Sequence, residues 1–180
     1  MTPDEIRQKL QQVKKQRLTE LDLSHNSLTE IPTEVFELEW LETLNLSFNK
    51  LTSLPKALTR LTNLSELNLT LNQLTSVPEA ITRMTYLSVL DLRGNKLTSL
   101  PDAISRMMNL SYLDLACNQL TSVPEAISRM TNLSVLYLAR NPLEDPPIEI
   151  AEQGIDAIRE YFGQKQAGED KPISSQKCVG

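Results

Sequence analysis

Aromatic side chains are scarce in this chain, and histidine and cysteine are scarcer. Phe, Trp and Tyr make up 4% of the 180 residues, His25 is the single histidine, and the two cysteines are Cys117 and Cys178. Without aromatics the core has to be aliphatic, and the 40% apolar content is enough to build one. One histidine and two distant cysteines leave no Cys/His cluster for zinc. They also exclude the paired cysteine caps usual in extracellular repeat domains. His25 stands beside Asp22 and Ser24 in one short segment, so the three cannot converge as a catalytic triad does. No apolar run approaches the roughly 18 residues of a spanning helix, and the stretch 1–17 is too polar for a secretory signal. The net charge is −5, whereas a nucleic-acid backbone calls for a basic stripe. These deficits predict a soluble, cytoplasmic, non-enzymatic protein, with no catalytic or metal-binding residues, no cofactor, and neither nucleic acid nor membrane as partner.

What the chain has in abundance is one pattern. A leucine opens each of six 23-residue copies, at Leu18, Leu41, Leu64, Leu87, Leu110 and Leu133. Every copy carries LxxLxLxxNxL, followed by a short run of spaced aliphatics that in most copies starts at a proline. A fixed period of this length with this frame is the leucine-rich repeat signature. It predicts an α/β repeat solenoid: a horseshoe arc with a parallel concave β-sheet, and short helices or 3-10 turns on the convex side. In the third copy Leu67 and Leu69 alternate with Glu66, Asn68 and Thr70, the period of a half-buried strand. Asn26, Asn49, Asn72, Asn95, Asn118 and Asn141 recur where the chain must turn inside the coil. They are expected to form a structural ladder that satisfies buried backbone groups. Pro32, Pro55, Pro78, Pro101 and Pro124 start the convex segments, where a fixed φ suits a first helical turn. A lone copy buries too little to fold, which is why the copies come as an array.

An array exposes an apolar cross-section at each end and needs caps. Residues 1–17 are expected to form an N-terminal capping helix, with a capping box and a proline in Thr2-Pro-Asp-Glu5. Ile6, Leu10 and Val13 lie on one face of it. The six repeats occupy 18–154, and a C-terminal capping helix spans 155–162, with Ile155, Ile158, Tyr161 and Phe162. The polar stretch 163–180 is expected to be disordered. Cys178 stands third from the end, whereas a prenyl-acceptor cysteine stands fourth, so prenylation is not expected.

Recognition falls to the exposed inward positions, because the framework residues are already committed. Six strands about 4.8 Å apart make an inner surface roughly 25 Å long. The middle strand position holds Asp22, Asn45, Asn68, Asp91, Asp114 and Tyr137; two residues earlier stand Glu20, Thr43, Glu66, Val89, Tyr112 and Val135. The first repeats therefore read as polar and acidic, and the last three as more apolar, with tyrosine and arginine. Tyr and Arg dominate binding energies at interface centres. The expected partner-binding residues are Val89, Asp91, Arg93, Tyr112, Asp114, Val135, Tyr137 and Arg140. Asp91 and Asp114 form a candidate carboxylate pair, but an open one-walled surface cannot exclude water, so no catalysis is expected. On the convex side Glu79, Asp102 and Glu125 precede Arg83, Arg106 and Arg129 by four residues, a spacing that predicts ion pairs within each turn.

The frame LTxLPxxIxxLxxL resembles the intracellular repeats of Ras-suppressor and Scribble-like proteins. The stretch from Asn141 to Phe162, with its Gly154-x-x-Ala-Ile-x-x-Tyr-Phe helix, is similar to the end of the repeat domain in Roco proteins, where a Ras-like GTPase domain follows. The resemblance implies a scaffold or regulator in GTPase signalling that binds a protein or peptide, such as a small GTPase or a Roco-like protein. No phosphate-binding loop follows Phe162, so GTPase activity is not carried over. A monomer is expected. Two other readings stay open: a repeat-domain piece whose function lay in a missing GTPase domain, and a self-assembling module.

Overall fold

The structure, a computed structural model, describes residues 1–169. Six three-residue strands stack in chain order into one parallel sheet: β1 (Glu20–Asp22), β2 (Thr43–Asn45), β3 (Glu66–Asn68), β4 (Val89–Asp91), β5 (Tyr112–Asp114) and β6 (Val135–Tyr137). The repeat period sets the register. Leu21, Leu44, Leu67, Leu90, Leu113 and Leu136 pair in one row and are all buried. A slip of one residue would turn that row out into solvent, so burial locks the stack.

Shortly after each strand one residue takes a left-handed conformation: His25, Phe48, Leu71, Gly94, Cys117 or Arg140, with φ between 53° and 68°. That reversal points the following asparagine into the coil. Asn95 shows the pattern: its Nδ2 donates to the carbonyls of Leu92 at 2.9 Å and Leu69 at 3.0 Å, and its Oδ1 accepts the Leu74 N–H at 3.0 Å. Asn49, Asn72, Asn118 and Asn141 make equivalent bonds, each tying its own repeat to the one before. Asn26 heads the ladder half-buried, with its Oδ1 on the amino group of Met1 at 2.7 Å. Among the described residues no buried side-chain nitrogen or oxygen lacks a partner.

Proline then opens the convex side. Pro32, Pro55, Pro78, Pro101 and Pro124 precede 3-10 helices at Thr33–Glu37, Lys56–Arg60, Glu79–Arg83, Asp102–Arg106 and Glu125–Arg129. Each proline carbonyl accepts the N–H three residues on, at 2.9–3.1 Å. A 3-10 turn covers more length per residue than an α-helix, which suits a segment that must return within one short repeat. The tighter winding also corrects the expected ion pairs. Arg129 closes the i,i+4 pair with Glu125 at 3.2 Å, but Arg106 reaches back one repeat to Glu79 at 3.1 Å. With three residues per turn, positions four apart diverge around the axis, while stacking brings neighbouring repeats together.

Both ends are covered. Helix α1 (Pro3–Gln16) begins with a reciprocal cap, the Thr2 hydroxyl accepting the Glu5 N–H and the Glu5 carboxylate accepting the Thr2 N–H. It buries Ile6, Leu10 and Val13 on the first repeat and stops at left-handed Arg17. At the other end a short α2 (Ile148–Ala151) leads into α3 (Ile155–Glu169), which buries Ile155, Ile158 and Phe162. The Arg159 guanidinium donates to the carbonyls of Met130 at 2.7 Å and Leu133 at 2.9 Å. The helix runs on past Phe162 to Glu169, through the first part of the stretch expected to be disordered. Its extra turns are held by Lys165 on Asp145 at 2.7 Å and by a Gln166–Glu125 contact. The rest of that expected tail, 170–180 with Cys178, lies outside the described residues. No helix among them is long and apolar enough to cross a membrane.

Candidate functional site

The sheet register brings most of the expected binding residues together. Val89, Tyr112 and Val135 are consecutive cross-strand partners in one row, each half-buried. Tyr137 is 51% exposed, and its ring meets that of Tyr112 edge-to-face, with centroids 5.9 Å apart and planes at 73°. Arg93 and Arg140 are exposed at the rim beyond. Two aromatics, two valines and two cations thus share one side of repeats four to six.

Asp91 and Asp114 are cross-strand partners, and one oxygen of each carboxylate is committed to the backbone. Asp91 Oδ1 accepts the Arg93 N–H at 3.0 Å, and Asp114 Oδ1 accepts the Ala116 N–H at 2.8 Å. Asp22, Asn45 and Asn68 do the same for Ser24, Ser47 and Thr70. This row therefore consists of short side chains that hold the turn after each strand, the Asx device. Asp114 is also buried, which corrects the expectation that it is an exposed contact residue. Burial pushes its carboxyl above the ordinary range, and the nearby Asp91 adds to the shift. Tyr112 is pushed up as well, by burial and then by Asp114 and Asp91. Tyr137 alone in the row has no oxygen placed for that bond, and its side chain stands in solvent.

The inner face of the first repeats is less polar than the sequence suggests. Phe48 and Leu71 are 46% and 45% exposed. The imidazole of His25 stacks on the Phe48 ring with centroids 4.2 Å apart. Leu71 leans toward the next repeat, where a Cβ on Gly94 would lie 2.7 Å from its Cδ2. All four residues occupy the left-handed row. Sequence reasoning passed over Phe48 and Leu71 because the frame says nothing of how far that row projects. The signal available was Gly94 in the same register, the residue such a conformation favours. Below the row lies Asp22. Burial would raise its carboxyl, but the Ser24 N–H and hydroxyl, with Lys9 and His25, outweigh that and hold it below the usual range.

A groove of about 290 Å³ opens elsewhere, between α1 and the first repeat, lined by Ile6, Leu10 and Leu28 among others. It is part of the cap, remote from the tyrosines.

A family model described as Leucine rich repeat matches residues 16–74, 63–116 and 85–143. Among solved structures the chain is similar to a leucine-rich repeat protein of Leptospira interrogans, with 35% identity and a TM-score of 0.73 over 86% of this chain and 38% of that one. It is also similar to the internalin InlF of Listeria monocytogenes, with 29% identity and a TM-score of 0.60 over 68% of this chain and 35% of that one. A further similar structure is the PEPR1–AtPEP1 complex, with 29% identity and a TM-score of 0.61 over 69% of this chain and 18% of that one. The chain thus spans well under two thirds of the length of each. No curated protein matches the sequence. Register, asparagine ladder and a family match running through almost every repeat agree: the chain belongs to the leucine-rich repeat family.

Proposed function

We propose that this chain is a non-enzymatic recognition module that takes a protein or peptide ligand on the inner face of repeats four to six. The observation that carries this reading is Tyr137, half-exposed against the edge of Tyr112 in a row whose other five members hold the turn after their strands. Nothing in the repeat framework requires an aromatic at either place. Val89 and Val135 flank the pair, so a ligand would meet a continuous apolar strip with Arg93 and Arg140 at its margin. Such a strip suits an apolar segment with acidic flanks. One of the similar structures is itself a complex, PEPR1 with AtPEP1. The same reading makes the module a monomeric cytoplasmic scaffold in a GTPase pathway, an assignment supported by the Roco-like stretch from Asn141 to Phe162.

The test is capture of partners from lysate by the wild-type chain and by a Tyr112→Ala/Tyr137→Ala variant. The variant should lose the captured protein while its melting temperature falls by less than about 3 °C, because neither ring fills the core. Equal capture by both proteins would remove the site from repeats four to six.

A further inference from the structure

The left-handed row is common to all six repeats, but in the first three it carries side chains the fold does not ask for. A non-glycine residue costs stability in that conformation, and an exposed large apolar side chain gains nothing by burial. Phe48 and Leu71 combine both costs at successive repeats, with φ values of 54° and 53°, and His25 precedes them at 57°. His25 stacks on Phe48, and Leu71, at the same position of the next repeat, leans on toward Gly94, so side chains at one repeat position line a ledge along this edge. Opposite the ledge, at the start of the strands, stand the exposed carboxylates of Glu20 and Glu66, with Asp22 between the two edges. Lys9 reaches this region but donates to the Asp22 carbonyl, and Arg93 lies one strand beyond, at repeat four.

We propose that this half of the inner face is a second docking surface, for an extended protein segment that alternates basic and apolar side chains. A strand-like segment lying across the repeats would send alternate side chains to opposite sides. One set would rest on Phe48 and Leu71, and the other would reach Glu20 and Glu66. Charge decides the class of partner: the ledge faces carboxylates, so an acidic segment is repelled and a basic one drawn in. This surface is independent of the tyrosine strip, which faces arginines and suits the opposite charge.

The experiment is fluorescence anisotropy of the full chain with labelled synthetic peptides of about ten residues, a length sufficient to cross three repeats. One alternates arginine with leucine, one glutamate with leucine, and one arginine with serine. The arginine–leucine peptide should bind at least about tenfold more tightly than either of the others, since each control removes one of the two contacts. Phe48→Asn with Leu71→Asn should bring it down to the level of the arginine–serine peptide without lowering the melting temperature, because asparagine tolerates left-handed φ. Glu20→Gln with Glu66→Gln, two exposed positions, should weaken binding and flatten its salt dependence, and serves as the deciding variant if the asparagine pair melts lower. Tyr112→Ala/Tyr137→Ala should leave the affinity unchanged, which separates this surface from the tyrosine strip. No binding of the arginine–leucine peptide, equal binding of the arginine–serine peptide, or loss of binding only in the tyrosine variant would overturn the proposal.

Discussion

The turn after each of the first five strands is held by one short oxygen acceptor, and Asp114 supplies it from a buried carboxylate. Its Oδ1 accepts the Ala116 N–H, yet the carboxylate is buried and lies across from Asp91. Asn45 and Asn68 make the same bond without a charge, at 3.0 and 2.9 Å. Because the folded protein raises the carboxyl's affinity for its proton, the folded state is favoured when Asp114 is protonated. That contribution is present below the unfolded value of about 3.9 and is lost as pH rises through the folded one. Asp114→Asn should therefore raise the neutral-pH melting temperature by about 2 °C or more, and the gain should vanish toward pH 3. A lower melting temperature at neutral pH would mean that the second carboxylate oxygen makes a contact worth more than the burial cost.

Among the elements, α3 shows how a helix is attached to the open side of the sixth repeat. Arg159 satisfies carbonyls at the turn from Met130 to Leu133, and apolar residues cover the end of the core. Asp145, in the loop after β6, accepts the Tyr161 hydroxyl at 2.8 Å and the Lys165 ammonium at 2.7 Å. Lys165 above all, and Tyr161 in addition, hold its carboxyl below the usual range against the opposing effect of burial. The sign is opposite to that of Asp114: this stabilisation is present above the unfolded value and is lost as pH falls through the folded one. Asp145→Asn should thus speed amide exchange in Ile155–Glu169 severalfold at neutral pH and leave repeats two to four unchanged. Unaltered exchange in α3 would show that its apolar face holds it without the aspartate.

For the whole molecule, stability runs along the stack, because each repeat buries its leucines against its neighbours and the ends have only their caps. Ile6, Leu10 and Val13 belong to the same continuous core as the repeat leucines. Removing Met1–Lys14 exposes that core's first cross-section. Three aliphatic side chains at about 2 kcal/mol each correspond to a melting temperature lower by roughly 10 °C or more. The truncated chain should also show aggregates by light scattering. A soluble monomer with unchanged melting would mean that the first repeat closes its own end.

The solenoid was legible in the sequence because its cause is local and repeated. Two leucines at strand spacing, an asparagine at the turn and a proline before the convex side recur at one period, and a period admits one way of stacking. The tyrosine rows could be read from that period, since residues one repeat apart must become cross-strand neighbours. Side-chain reach could not be read from it. Whether Asp114 faces a ligand or folds back on Ala116, whether Arg106 pairs within its turn or with Glu79, and how far Phe48 and Leu71 project all depend on distances between repeats. Those distances are set by 3-10 winding and left-handed φ after each strand. The far end of α3 is of the same kind: a polar helix lacks an apolar pattern to announce it, and it is held through Lys165 by Asp145, twenty residues earlier in the chain. Periodic burial fixes the stack from sequence alone, whereas polar contacts that cross between repeats exist only once the stack has formed.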